Sequence, residues 1–264
     1  MMNCDDESIE LAWQVLSACL TNRSYRKAVW LYGSGANGKS TFTALIENLV
    51  GKTNVGHLRA EQFSDRFSLS TILNKTVVIG DDVNAKRVNS ENYNSVVTAD
   101  PVLIERKHEQ AFSTVIETTV IQSANELPKF SNKTNATTRR MIILPFFKSY
   151  LSNTNFSIKE DYIRRDEILE FVLFKAINMN FDEFIEPAIS LELKEDFKKE
   201  NNHVVDFMSE LFENFDDDKI SSSFVWNAYK AWIQENEIKS SEVLSKIKLF
   251  KSVSYTHLTL PTNR

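Results

Sequence analysis

The chain has 264 residues, 42% of them hydrophobic and 25% charged, and a formal net charge of −5. That balance excludes a disordered chain and fits one large core, or a main domain with a smaller companion. No apolar run approaches the roughly 20 residues of a membrane span, and no basic segment followed by an apolar one opens the chain.

Two cysteines, Cys4 and Cys19, are too few for a disulfide framework or a zinc site, and read as structural or incidental thiols in a reducing compartment. Charge is unevenly spread: net +2 over residues 25–100, +3 over 101–150, −11 over 151–218 and +3 over 219–251. A polyanion partner would therefore have to bind locally, in the first 150 residues or near the end. The acidic block reads as solvated helix faces.

In chain order, Ile9, Ala12, Trp13, Leu16, Cys19 and Leu20 fall at helical spacing, which predicts a helix over 8–20 with Ser8 as its cap. AVWLY (28–32) predicts a buried strand, and KSTFTALIENLV (39–50) a helix stopped by Gly51. TVVIG (76–80), TVIQS (119–123) and MIIL (141–144) predict further strands, and VLIER (102–106) with FSTVI (112–116) a hairpin. Apolar strands interleaved with helices imply an α/β fold, a mostly parallel sheet covered on both faces. Helices are expected over 162–179, 190–213 and 223–236, the last with Phe224, Trp226, Tyr229 and Trp232 along a core face. A basic segment, SKIKLFK (245–251), follows. SVSYTHLTLPTNR (252–264) has no acidic residue and resembles translated sequencing-adaptor sequence. It is expected to be an artefact that continues no helix, in which His257 and Pro261 carry no meaning and the natural C-terminus is lacking.

Three of only six glycines, Gly33, Gly35 and Gly38, fall within six residues. Gly33-Ser34-Gly35-Ala36-Asn37-Gly38-Lys39-Ser40 matches G-x-x-x-x-G-K-[ST] in full, between a predicted strand and a predicted helix. Glycines let successive N–H groups point inward at phosphate oxygens, and the helix start adds its dipole. Lys39 would reach the β- and γ-phosphates of ATP, and Ser40 would offer its hydroxyl to Mg2+. Gly33 through Thr41 form the candidate nucleotide-binding set. VVIGDD (77–82) is an apolar strand ending in Asp81 and Asp82, one acid for the Mg2+ shell and the other to polarise water.

Three later segments are weaker alone. Arg106, Lys107 and His108 at a hairpin tip suit a nucleic-acid backbone or a solvated turn. Asn125, at a strand end, could orient water or simply begin a turn before Pro128. Arg139 and Arg140, before a strand, could face transferring phosphate or solvent.

The order GSGANGKST, VVIGDD, LIERKH, SANELP, RRMIILPF resembles that of the superfamily 3 helicases, nearest to the helicase portion of the phage, plasmid and poxvirus primase–helicases. The likeness covers about residues 10–150 in ordered motifs and continues more loosely to about 251. It implies an AAA+-type P-loop NTPase core that assembles as a homo-oligomeric, hexameric ring on single-stranded and forked DNA. It implies ATP and Mg2+ at Lys39, Ser40, Asp81 and Asp82, and a sensor at Asn125. Arg139 would be the arginine finger, matched by the following strand and Phe146, with Arg140 as the alternative. Arg106, Lys107 and His108 would face DNA, and translocation would run 3′ to 5′. The element would be a phage, plasmid or virus, in a bacterial host or virus-infected cell.

The expected organisation is an N-terminal helical segment (1–24), the helicase core (25–150), an acidic helical region (151–218) and a partial winged-helix-like module (219–251) before the tail. A primase domain or protein would lie upstream or on another chain. The sequence departs from the family pattern at Asn94-Ser95, where a lysine is common, and at Ala99, where glycine is usual. Two rival functions stand beside the helicase. A nucleotide-binding assembly module of a replication complex would lack useful turnover. A small-molecule P-loop kinase would leave the three later motifs unexplained.

Overall fold

The computed structural model describes residues 5–21, 23–84, 88–128, 130, 136–152, 155–201, 204, 207, 208, 210, 211, 221–235 and 243–255. Cys4 and residues 256–264 of the tail, including His257 and Pro261, lie outside the described residues. The chain divides into two units, Met1–Glu195 and Asp196–Arg264.

The first unit opens with α1 (Asp6–Thr21). Its cap is Asp5, not Ser8: the Asp5 carboxylate accepts from the Ser8 backbone N–H (3.1 Å) and the Ser8 hydroxyl (2.6 Å). Asp5 precedes the helix by three residues from Ser8, which is the spacing a cap requires. These bonds hold the Asp5 carboxyl below the usual range.

Strands β1 (Ala28–Tyr32), β2 (Val55–His57), β3 (Val77–Gly80), β6 (Thr119–Ala124) and β7 (Met141–Pro145) form one sheet in the order β2-β3-β6-β1-β7. Every pairing in it is parallel. All five residues of β1 lie between β6 and β7, in register Tyr32 to Ala124 on one side and Tyr32 to Pro145 on the other. Alternation along β1 supplies both faces of the core. Val29 and Leu31 join Leu11, Val15 and Cys19 of α1, Phe42 and Ile46 of α2 (Lys39–Val50), and Val172 and Ala176 of α6 (Asp166–Ile177). Trp30 points the other way, its indole N–H donating to the buried Tyr93 hydroxyl at 3.0 Å, with Phe130 edge-on to its ring. Continuous apolar strands are what a sheet covered on both faces demands.

Helix α2 ends as expected at Gly51, whose N–H bonds the Glu47 carbonyl at φ +85°. Helix α3 (Ser90–Val97) follows β3, and the hairpin of β4 (Val102–Ile104) and β5 (Phe112–Thr114) stands apart as a two-stranded antiparallel sheet. Short helices α4 (Ala136–Arg140) and α5 (Phe156–Glu160) flank β7. The expected helix over 162–179 is a 3-10 turn, Tyr162–Arg164, followed by α6. Arg165 takes an extended conformation between them (ψ 136°), a break that apolar periodicity does not register. Helix α7 (Ala188–Asn201) spans the division between the units.

Most described residues of the second unit are helical; Ser221 and residues 243–245, which precede its last two helices, are not. Tyr229 and Trp232, on Ser222–Glu235, are buried against Phe207, as a core face requires, while Phe224 is exposed. The helix Lys246–Tyr255 takes in residues 252–255, so the first part of the anomalous tail does continue a helix. Extension of an existing helix by a few residues costs little once its first turn has formed.

Candidate functional site

The site lies where β1, β3 and β6 end at the same edge of the sheet. Strand β1 runs into Gly33, whose N–H donates to the Ala124 carbonyl at the end of β6 (3.3 Å). Gly33 has no room for a side chain: a Cβ there would sit 2.1 Å from the Phe146 carbonyl oxygen and 2.5 Å from Asn37 Nδ2. Gly38 adopts φ +96° as it caps α2, a left-handed conformation open to glycine at little cost. The loop between them is thus shaped by its two end glycines. Asn37, 2% exposed, ties the loop to β7 by donating to the Phe146 carbonyl. Beyond β7, the Tyr150 N–H donates to the Ala36 carbonyl at 2.9 Å.

Lys39 is buried, 8% exposed, and its ammonium is fully engaged. It donates to the carbonyls of Gly33 and Ser34 (3.1 Å), to Asn37 Oδ1 (3.1 Å) and to Asn125 Oδ1 (3.0 Å). Burial pulls the Lys39 ammonium below the ordinary lysine range, and the charge of Asp82 works against that pull. Asn125 follows β6 directly and is otherwise exposed.

Ser40 and Asp81 line one cleft of about 400 Å³. Thr43 and Glu47 line it too, one and two turns along α2 from Ser40. Burial raises the Asp81 carboxyl above the usual range; His57 and Lys159 pull it down and Asp82 pushes it further up. Asp82 sits at φ +52°, a left-handed conformation that Asp tolerates better than most residues. A second cleft, of about 470 Å³, is lined by Ala36, Gly38, Ser40 and Thr41 from the loop and by Tyr150, Phe156 and Lys159 from the segment beyond β7.

Strand β3, which delivers Asp81, is held against β6 by an uncommon contact. The buried Gln122 amide lies across Gly80, where a Cβ would fall 2.2 Å from Gln122 Oε1. Gln122 Oε1 accepts from the Ala60 N–H at 2.8 Å, and Nε2 donates to the Leu58 carbonyl at 3.2 Å.

The loop residues Gly33 to Thr41, Asp81, Asp82 and Asn125 therefore gather at one sheet edge. Arg139 and Arg140 do not. They precede β7, whose Met141 pairs with Ala28 at the start of β1, so they lie about 17 Å of strand away from the loop. Arg139 is exposed, with its carbonyl accepting from Lys27 Nζ at 2.7 Å; Arg140 bonds back to the Ala136 carbonyl at 3.0 Å.

Arg106, Lys107 and His108 sit separately, at the exposed tip of the β4–β5 hairpin. Arg106 pairs with Glu109 (3.3 Å) and lies 5.8 Å from the Phe112 ring; His108 is at φ +64°. The departures at 94–99 are resolved locally. The Ala99 N–H bonds the Val96 carbonyl and the Asp100 N–H that of Ser95, so Ala99 occupies, at φ +55°, the left-handed position that ends α3. Asn94 donates to Thr137 Oγ1 at 2.9 Å.

Sequence reasoning missed Thr43, Glu47, Tyr150, Phe156 and Lys159. The first two could have been found from their spacing along α2 behind Ser40. The others come from a stretch with no motif of its own.

The oxygen-rich surroundings, Ser40 with Asp81 and Asp82, suit a hydrated Mg2+, and a loop of inward-facing backbone with a buried lysine suits a phosphate chain. Among the described residues, no three or more His, Cys, Asp or Glu side chains form a metal-holding group. No described helix is long and apolar enough to cross a membrane.

Residues 31–140 match a family of unknown function (DUF5906), and residues 199–258 match the family described as Poxvirus D5 protein-like. No curated protein matches the chain. Two apo structures of the NrS-1 C-terminal region share its fold. One covers 96% of this chain and 59% of its own at 14% identity and a TM-score of 0.58. The other covers 87% and 59% at 14% identity and a TM-score of 0.60. A JCV helicase structure covers 75% and 61% at 16% identity and a TM-score of 0.40. The chain thus spans about three-fifths of the length of the solved chains it matches. The Poxvirus D5-like match covers residues 199–258 and the ordered motifs lie within residues 33–146, so the two likenesses fall on different parts of the chain.

Proposed function

We propose that this chain is the motor of a superfamily 3 DNA helicase, an ATPase that couples hydrolysis to movement along single-stranded DNA in replication of a phage, plasmid or viral element. The observation that carries the reading is the convergence of Lys39, Ser40, Asp81 and Asn125, from three parallel strand ends, on one glycine-shaped loop.

In this reading the loop N–H groups and Lys39 hold the phosphates of ATP, and Ser40, Asp81 and Asp82 hold Mg2+. The metal, when bound, offsets charge on the transferring phosphoryl group. Asn125 Oδ1 fixes Lys39 Nζ and presents its amide to the same space, where it can orient a water. The exposed hairpin tip supplies the positive charge of Lys107 and the ring of His108 to a DNA backbone, with Phe112 beside it as an apolar surface for a base.

Arg139 or Arg140 would serve the loop of a neighbouring copy, because neither reaches its own. That supports a ring of copies, six in the related helicases, acting on single-stranded and forked DNA in the cytoplasm of a bacterial host or virus-infected cell, with a primase domain or protein as partner. The same separation favours a second reading for an isolated protomer: it binds nucleotide as an assembly module and does not turn it over.

Steady-state ATP hydrolysis by the full chain, with and without single-stranded DNA and beside Lys39→Ala, tests the first reading. Hydrolysis that DNA stimulates and Lys39→Ala abolishes supports the motor. Binding without hydrolysis at concentrations where copies associate supports the assembly module. Hydrolysis indifferent to DNA overturns the coupling.

A further inference from the structure

Lys159 is the odd residue of α5. The other four residues of Phe156–Glu160 are exposed; Lys159 alone is half-buried. It faces the nucleotide loop and lines both clefts there, the one shared with Ser40 and Asp81 and the one shared with Ala36, Gly38 and Thr41. A lysine driven fully into the interior is almost always paired, and a half-buried one gains from any anion within reach of its head. Its acidic neighbours are taken: Glu160 pairs with Arg164 at 3.3 Å and Asp161 with Arg165. Among the described residues no carboxylate forms an ion pair with Lys159, although Asp81 lines the same cleft.

The segment that carries Lys159 is tied to the nucleotide loop ahead of α5, and α5 is capped at its start. The Tyr150 N–H bonds the Ala36 carbonyl, and the Asn155 side chain caps α5 by accepting from the Ser157 N–H at 3.1 Å. The long, flexible lysine stem can then move its charge within the cleft while the backbone stays in place. A triphosphate with Mg2+ still carries more negative charge than Lys39 alone offsets. An inward cation without an ion pair, lining the clefts beside Ala36, Gly38, Ser40 and Thr41, fits the remainder.

We propose that Lys159 is a second phosphate-binding residue, which holds the triphosphate from the α5 side while Lys39 holds it from the loop. The proposal rests on the ATP-site reading above and adds to it a cation from the same chain, more than 110 residues downstream of the phosphate loop.

The test is titration of a fluorescent ATP analogue, mant-ATP with Mg2+, against the full chain and its Lys159→Met, Lys159→Arg and Lys39→Ala variants. Melting temperatures without nucleotide are measured alongside. Loss of a charge-assisted contact predicts about ten- to a hundredfold weaker binding for Lys159→Met. Lys159→Arg should stay near wild type, and neither variant should melt differently. Wild-type affinity in Lys159→Met overturns the proposal. So does an equal loss in Lys159→Arg with a lowered melting temperature, which marks a packing role. If the wild-type chain binds no mant-ATP, or Lys39→Ala binds as well as wild type, the ATP-site reading itself fails. If Lys39→Ala loses binding and Lys159→Met keeps it, only the Lys159 assignment fails.

Discussion

Lys39 and Asn125 are 86 residues apart in sequence and joined by a 3.0 Å hydrogen bond from Nζ to Oδ1. The bond ties the end of β6 to the loop that leaves β1, so the two groups act as a unit. Asn125→Ala should therefore lower ATP hydrolysis at least about tenfold, in the range seen when one positioned polar group is removed from a phosphoryl-transfer site. The double variant Lys39→Ala/Asn125→Ala should be no slower than Lys39→Ala alone. Additive losses in steady-state rates would show that the two residues act independently.

The Asp81 carboxyl is raised by burial, and this has a sign for stability. A carboxyl raised on folding binds its proton more tightly in the folded chain. Stability is therefore lost as pH rises from the unfolded value, near 3.9, through the raised folded value. At neutral pH the charged form is a burden that Asp81→Asn removes. The variant should melt higher than wild type, by no more than about 2–4 °C in the absence of nucleotide and metal. The gain should vanish below the carboxyl's titration range, and hydrolysis should fall sharply. A thermal scan at two pH values checks both signs.

Ala99 ends α3 at φ +55°, where a residue with a Cβ is strained and glycine is not. Ala99→Gly relieves that strain and gives back part of the gain as unfolded-state entropy. A net stabilisation of about 0.5–1 kcal/mol is expected by denaturant unfolding. Destabilisation would mean that the Ala99 methyl makes a compensating contact.

The hairpin tip makes a separate prediction. If Lys107 contacts one phosphate, Lys107→Ala should weaken binding to single-stranded DNA of any sequence. It should also flatten the dependence of log K on log salt by about 0.7. An unchanged salt slope would remove Lys107 from the interface.

The legible parts of this chain are those whose geometry is local. The phosphate loop could be read because Gly33 and Gly38 are each required by the backbone within six residues of Lys39. Strands β1, β3 and β7 could be read because each is apolar on both faces, whereas β2, three residues long and ending in an exposed His57, was not foreseen. Ser8 was mistaken for the cap because DDES offers several cap-forming side chains, and only the three-residue offset to Asp5 chooses among them. The 3-10 turn before α6 escaped for a related reason: Ile163 and Ile168 keep the apolar phase across a backbone break at Arg165. Lys159 was invisible because its role depends on where the chain returns after β7, and no neighbouring residue marks that return.

Gln122 and Gly80 carry a consequence for comparing relatives. The amide occupies the volume that any side chain at position 80 would need, and it also bonds Ala60 and Leu58. The two positions can change only in concert. A protein of this fold with alanine or serine beside its acidic strand end should carry a shorter residue in place of the glutamine, and another donor–acceptor pair for the backbone that Gln122 serves. Covariation between positions 80 and 122 would then mark a shared packing solution in chains too divergent for overall identity to be informative.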